Sequence, residues 1–151
     1  MQYSKIVGLG HYVPEKVITN QYLSTLMDTN NDWIIERTGI TERRWMDPST
    51  DTVANMSAKA TRMALQRAKL TEKDIDFIVF ATITPDYFFP GSGVLLQREL
   101  GLEGIPALDV RNACSGFIYA LSVADQFIKT GMYKTVLVVG AEIQSTALDL
   151  T

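Results

Sequence analysis

The sequence predicts an α/β fold in which a mostly parallel, mixed sheet is covered by helices. Two observations support this: short runs rich in Ile, Val, Leu and Phe that end at turn residues, and stretches of helical period between them. The runs lie at 5–9, 76–81, 106–110 and 135–140, and the helical stretches at 20–27, 32–37, 52–68, 92–100 and 115–130. Because the two types alternate, we expect right-handed crossovers between parallel strands.

Turn and capping residues set the expected ends of several helices. Asp51 precedes the stretch at 52–68 and is predicted to cap its amino terminus. Gly39, Gly101 and Gly131 each follow a helical stretch, where a left-handed backbone commonly ends a helix.

Composition excludes several classes of function. Fourteen Lys and Arg residues against seventeen Asp and Glu give a net charge of −3, which offers no footprint for nucleic acid. No apolar run approaches the roughly 20 residues that a bilayer span needs, and the amino terminus lacks a signal-peptide core. The single cysteine forms neither an internal disulfide nor a metal cluster. We therefore expect one domain over 1–151, cytoplasmic, with no membrane, nucleic-acid or metal partner.

The stretch after Cys114 is apolar on nearly all sides. Its first turns contain Phe117, Ile118, Tyr119, Ala120, Leu121, Val123 and Ala124. Because one sheet covers only one side of a helix, the pattern predicts a further layer from another chain or from sequence beyond Thr151. The chain is therefore expected to be incomplete as a functional unit.

Cys114 is the candidate nucleophile. It stands where a predicted strand gives way to a helix, among the small residues Ala113, Ser115 and Gly116. Unpaired N–H groups at a helix amino terminus favour a thiolate, which is the nucleophilic form of cysteine. The alternative is a buried cysteine that acts as a small hydrophobic residue.

Several short motifs occur together in a fixed order along the chain. They are Lys5-Ile6-Val7-Gly8, Tyr12-Val13-Pro14-Glu15, Asp32-Trp33-Ile34, Arg37-Thr38-Gly39-Ile40, Phe89-Pro90, Cys114-Ser115-Gly116-Phe117 and Val138-Val139-Gly140. In this set and order the sequence resembles the β-ketoacyl-acyl-carrier-protein synthases III, condensing enzymes of the thiolase superfamily. The resemblance covers the whole chain and implies the amino-terminal half of a thiolase-like fold, which packs against a second, similar half.

The resemblance also implies an acyltransferase that initiates fatty acid synthesis. An acyl-CoA primer would acylate Cys114, and malonyl-acyl carrier protein would then decarboxylate and attack the thioester. No tightly bound cofactor is implied, since the CoA thioester is a substrate. The family's catalytic His and Asn come from the carboxy-terminal half, so this chain alone is expected to be inactive in condensation, and the complete enzyme to be a homodimer. His11 matches no catalytic position and is expected to be a polar loop residue.

Further site residues follow from the same resemblance. Trp33 would stack on the adenine of CoA, Arg37 would contact its adenine and phosphate region, and Thr29 is a weaker third contact. Phe89 would cross the homodimer interface and line the partner's acyl pocket. The alternatives are a core aromatic for Trp33, a solvated side chain for Arg37, and an ordinary core or interface aromatic for Phe89.

Three other functions stay open at this point. Gly8-Leu9-Gly10 hints at a dinucleotide-binding loop, although Val13 stands where that motif needs its third glycine. A related acyl-CoA condensing enzyme of secondary metabolism would carry the same nucleophile. A non-catalytic acyl-CoA-binding or interface module would not need Cys114.

Overall fold

The computed structural model describes residues 3–148, which form two compact units. Among these residues, one unit comprises 13–51 and 143–148, and the other comprises 3–12 and 52–142. No helix within 3–148 is long and apolar enough to cross a membrane.

The smaller unit contains an antiparallel strand pair and two helices. Its elements are β1 (Lys16–Thr19), α1 (Asn20–Leu23), α2 (Asn31–Thr38) and β2 (Glu42–Trp45). The buried Asn20 amide donates to Asn31 Oδ1 and to the carbonyl of Ile40, and its Oδ1 accepts from Arg43. Strands β1 and β2 were not predicted from the sequence, because polar contacts rather than an apolar run connect them.

The larger unit is built on a parallel three-stranded sheet. Its elements are α3 (Val53–Ala68), β3 (Phe77–Ala81), α4 (Ser92–Glu99), β4 (Ala107–Val110), α5 (Gly116–Lys129) and β5 (Val136–Gly140). The strand order is β4-β3-β5, with Ile78 opposite both Ala107 and Leu137. Every residue of the central strand β3 is buried, as expected for a parallel strand between two covered faces. The predicted α/β architecture is confirmed.

The predicted strand at 5–9 is wrong. This segment lies against α3, and a Cβ on Gly8 or Gly10 would collide with the backbone carbonyls of Ala64 and Ala60. The carbonyl of Leu9 accepts a hydrogen bond from Arg67 rather than from a neighbouring strand. The two glycines therefore serve helix packing, and no helix follows them directly, which removes the dinucleotide-binding interpretation.

The predicted helix ends are correct in part. Gly39, Gly101 and Gly131 all have left-handed backbones, with φ of 70°, 67° and 74°. The helix predicted at 20–27 has only four residues. Asp51 is not the cap of α3, because its carboxylate accepts from the Asp47 amide while Thr52 forms a reciprocal capping box with Asn55.

Helix α5 packs on the sheet with one face only. Ala120 and Ala124 are buried against Phe77, Val79 and Ala81 of β3. Phe117, Ile118 and Tyr119 stay 42%, 62% and 52% exposed. The prediction that a single sheet leaves apolar surface of this helix uncovered is confirmed.

Candidate functional site

Cys114 lies at the carboxyl edge of the parallel sheet. Strands β3, β4 and β5 run in the same direction, so the segments that follow Ala81, Val110 and Gly140 emerge at the same edge. In open α/β sheets, ligands bind at this edge. Cys114 is free and exposed, so the alternative of a buried cysteine does not fit the described residues. Its role as nucleophile stays a prediction.

A strained turn presents the thiol. Ala113 has a φ of 46°, a left-handed conformation that costs a residue with a Cβ about 1–2 kcal/mol. The turn Ala113–Ser115 closes through Asn112, whose carbonyl accepts from both the amide and the hydroxyl of Ser115. Cys114 is thereby held at the apex between β4 and α5.

Two glycines let the first turn of α5 approach the sheet. A Cβ on Gly116 would lie 3.3 Å from Cβ of Ala81, and a Cβ on Gly140 would lie 3.0 Å from Cδ2 of Phe117. Ser115, the residue before the helix, makes no side-chain capping bond to it. The N–H of Gly116 instead donates to the carbonyl of Ala113, so backbone bonds of the Cys114 turn continue into the start of α5.

The loop that follows β3 is held by two carboxylates. Glu142 accepts from the amides of Ile83 and Thr84 at 2.9 and 3.1 Å and from the Thr84 hydroxyl at 2.6 Å. Asp86 accepts from the amides of Val53 and Ala54 at the start of α3. Hydrogen bonds to Glu142 therefore restrain the beginning of the loop, and those of Asp86 restrain its middle.

Asp109 fixes the far end of the same loop. Its carboxylate accepts from the amides of Ser92 at 2.6 Å and Gly93 at 2.9 Å, and so caps α4. A Cβ on Gly91 would lie 2.8 Å from the Asp109 carboxylate, so the close approach requires glycine. Asp109 and Glu142 were not predicted as site residues, although each is an acidic residue at or just after the carboxyl end of a strand.

Phe89 lies in this loop with its ring in solvent. Phe88 and Phe89 are 88% and 87% exposed, so the core interpretation of Phe89 is wrong for the described chain. Arg111 donates to the Phe88 carbonyl at 3.1 Å, and its guanidinium lies 5.0 Å from the centre of the Phe88 ring. The structure therefore connects the Phe89 loop to the turn that carries Cys114.

The three residues predicted to bind CoA all belong to the smaller unit. Trp33 is 50% exposed on α2, and the Arg37 guanidinium lies 4.9 Å from the centre of its ring. The Thr29 hydroxyl is buried and has no hydrogen-bond partner within the described residues. Trp33 is thus not a core aromatic, and its role as a ligand contact stays a prediction.

Within 3–148, no three His, Cys, Asp or Glu side chains lie close enough together to hold a metal ion. His11 is exposed in the segment before Tyr12, as expected for a polar loop residue.

Comparisons with known proteins agree with the sequence resemblance. Residues 108–151 match the family model of 3-oxoacyl-[acyl-carrier-protein] synthase III. The β-ketoacyl-[acyl-carrier-protein] synthase III of Xanthomonas euvesicatoria pv. vesicatoria is 48% identical over 99% of this chain and 46% of its own length.

Solved structures give the same result. The 3-oxoacyl-[acyl-carrier-protein] synthase III of Aquifex aeolicus VF5 matches with 46% identity and a TM-score of 0.92, over 97% of this chain and 47% of the other. The priming β-ketosynthase of the R1128 polyketide pathway matches with 34% identity and a TM-score of 0.93, over 99% and 44%.

These matches define a condensing-enzyme fold of the thiolase type. The chain spans about half the length of the curated relatives it matches. Within that fold it belongs to the β-ketoacyl-acyl-carrier-protein synthase III family, and it fits the amino-terminal half of such an enzyme.

Proposed function

We propose that this chain carries the nucleophile of an enzyme that initiates fatty acid synthesis by condensing an acyl-CoA primer with malonyl-acyl carrier protein. The observation that carries the proposal is the exposed Cys114 thiol, held on a strained turn at the carboxyl edge of the sheet. This position gives a substrate access to the sulfur, and the amino terminus of α5 favours its thiolate form.

In the first half-reaction, the sulfur of Cys114 attacks the thioester carbonyl of acyl-CoA. A new carbon–sulfur bond forms, the bond to CoA breaks, and CoA leaves as a thiolate that takes up a proton. A thiolate is both a strong nucleophile and a good leaving group, so one difficult transfer becomes two easier ones. The backbone N–H of Cys114 would donate to the oxyanion of the tetrahedral intermediate.

In the second half-reaction, the malonyl group loses carbon dioxide, and its α-carbon attacks the acyl-cysteine. A carbon–carbon bond forms, and the sulfur of Cys114 is released as a thiolate. The family resemblance assigns the His and Asn that assist this step to a carboxy-terminal half, and no residue of this chain matches them.

The CoA moiety would bind at Trp33, Arg37 and Thr29. An exposed indole offers a stacking surface for adenine, and an adjacent guanidinium suits a phosphate. The unpartnered hydroxyl of Thr29 supplies one further donor. On this proposal the enzyme is cytoplasmic and needs neither a metal nor a tightly bound cofactor, because the thioester itself provides the driving force.

Phe89 would contact the acyl chain across a homodimer interface. Its 87% exposed ring supports a role outside the core of its own chain, and exposed aromatics are enriched in interfaces. The uncovered face of α5 would be covered by the carboxy-terminal half.

A related condensing enzyme of secondary metabolism is the second candidate. Its support is the likeness to a polyketide priming β-ketosynthase at 34% identity, which is lower than the 46% identity to the synthase III of Aquifex aeolicus VF5. Both candidates use Cys114 as the acyl acceptor, and they differ in the carrier protein and in the primer.

The test uses the fact that Cys114 is the only cysteine in the sequence. Acetyl-CoA is expected to block labelling of the protein by iodoacetamide, and hydroxylamine, which cleaves thioesters, is expected to restore it. Free CoA at the same concentration is the control and should not block labelling. Equal protection by free CoA would refute acyl transfer and would support the non-catalytic binding module.

A further inference from the structure

Arg111 connects two segments that both take part in the proposed reaction. One is the turn that carries Cys114, three residues further along the chain. The other is the loop 82–91, whose Phe88 and Phe89 rings are exposed. Such exposed rings gain nothing from core packing, so their positions depend on the contacts made by the loop backbone.

Three carboxylates already restrain this loop. Glu142 accepts from the Thr84 amide, Asp86 accepts from the start of α3, and Asp109 accepts from the Ser92 amide. The segment between Asp86 and Ser92 holds all three aromatic residues, Tyr87, Phe88 and Phe89, and also the loop's most exposed side chains. Arg111 contacts this segment at its centre. The loop is therefore restrained at several points along its length, and the Arg111 contact is the one at the exposed aromatic rings.

The contact uses two different features of the guanidinium. One N–H donates to the Phe88 carbonyl at 3.1 Å, which fixes the backbone. The flat face lies 5.0 Å from the centre of the Phe88 ring, which fixes the side chain. A guanidinium can make both contacts at once, whereas a lysine ammonium is a point charge on a flexible stem. The geometry therefore depends on arginine and not on positive charge alone.

We infer that Arg111 is a positioning residue that sets where Phe88 and Phe89 lie, and through them which acyl chains the complete enzyme accepts. The second part of this inference rests on the proposed acyl transfer. The first part rests only on the two contacts of Arg111.

The first measurement is hydrogen exchange of the amides at 87–89. Replacing Arg111 with Ala removes a hydrogen bond from a charged donor and a cation–π contact, so exchange there should rise about fivefold. Arg111→Lys should give an intermediate rise. Arg67→Ala is the matched control, because it removes an exposed arginine bond to another carbonyl, that of Leu9. Unchanged exchange in Arg111→Ala, or an equal rise in the control, would overturn the positioning role.

The second measurement is covalent capture by Cys114 from a series of acyl-CoAs of increasing length and branching. Arg111→Ala should change the ratio of capture rates between short and branched chains about fivefold, while iodoacetamide labels Cys114 at the rate of the unaltered protein. A Phe88→Leu variant should shift the ratio in the same direction, and the double variant should shift it no further. Ratios that stay constant in Arg111→Ala would overturn the specificity role.

The two readouts separate this inference from the proposed function. If the unaltered protein captures no acyl group from any acyl-CoA, the proposed acyl transfer fails and the specificity role fails with it. Hydrogen exchange then still decides whether Arg111 positions the loop.

Discussion

Removal of the Asp109 carboxylate should destabilise the larger unit at the point where β4 meets α4. The carboxylate accepts from two amides, at 2.6 Å from Ser92 and 2.9 Å from Gly93, and Ser92 is completely buried. In Asp109→Ala the two amides lose their acceptor, and water cannot reach Ser92 without local opening. A buried donor without a partner costs about 1–3 kcal/mol, and loss of a helix cap costs about 0.5–2 kcal/mol.

The expected loss for Asp109→Ala is therefore about 3 kcal/mol of unfolding free energy. For a chain of this length that corresponds to a fall in Tm of about 10 °C. Asp109→Asn keeps one carbonyl oxygen but loses the charge at the helix amino terminus, so about 1 kcal/mol should be lost. The order of stability should be Asp, then Asn, then Ala.

Urea denaturation followed by circular dichroism measures these differences, with thermal unfolding as a second readout. Glu103→Gln is the control, because Glu103 is an exposed acidic residue and its replacement should change stability by less than about 0.5 kcal/mol. If Asp109→Ala unfolds within that margin of the unaltered protein, the carboxylate does not hold α4, and the account of the loop's far end is refuted.

Three further predictions concern other parts of the chain. Trp33→Ala should weaken CoA binding about tenfold by calorimetry and leave Tm nearly unchanged, because the ring is half exposed; unchanged affinity with a lower Tm would contradict stacking. The Lys129 ammonium, followed by the Ser4 hydroxyl, lowers the pKa of Asp125, so its contribution is present at neutral pH and is lost as the pH falls through that lowered pKa. An NMR titration should place its midpoint below that of an unpaired Asp, and Lys129→Ala should raise it; a midpoint that does not move would refute the ion pair. Gly10→Ala should force the amino-terminal segment away from α3 and cost about 1–3 kcal/mol in urea, and an unaltered unfolding midpoint would contradict the packing role of this glycine.

The sequence predicted the elements whose signals are local. Three of the four predicted strands and the positions of α2 to α5 follow from apolar period, and the glycine ends follow from the left-handed backbone that helix termination needs. The segment 5–9 has a strand-like composition, yet Gly8 and Gly10 let it lie against α3, and period alone does not distinguish these outcomes. The pair β1 and β2 was missed because buried polar contacts around Asn20 organise it.

The candidate site divides in the same way. The position of Cys114 between a strand and a helix could be predicted from the sequence, because the apolar run before it and the helical period after it are both clear. Its supporting contacts could not be predicted, since Asp109, Glu142 and Arg111 contact residues that lie 16 to 59 positions away in the sequence. The strained φ of Ala113 was equally hidden, because alanine gives no sign of a left-handed backbone.

The central claim is that Cys114 accepts an acyl group from CoA. Its most direct test is the intact mass of the protein after incubation with acetyl-CoA, measured beside Cys114→Ala under the same conditions. The account predicts one acetyl adduct on the unaltered protein, reversed by hydroxylamine, and none on the variant. An adduct that persists in Cys114→Ala, or no adduct on a thiol that iodoacetamide labels completely, would contradict it.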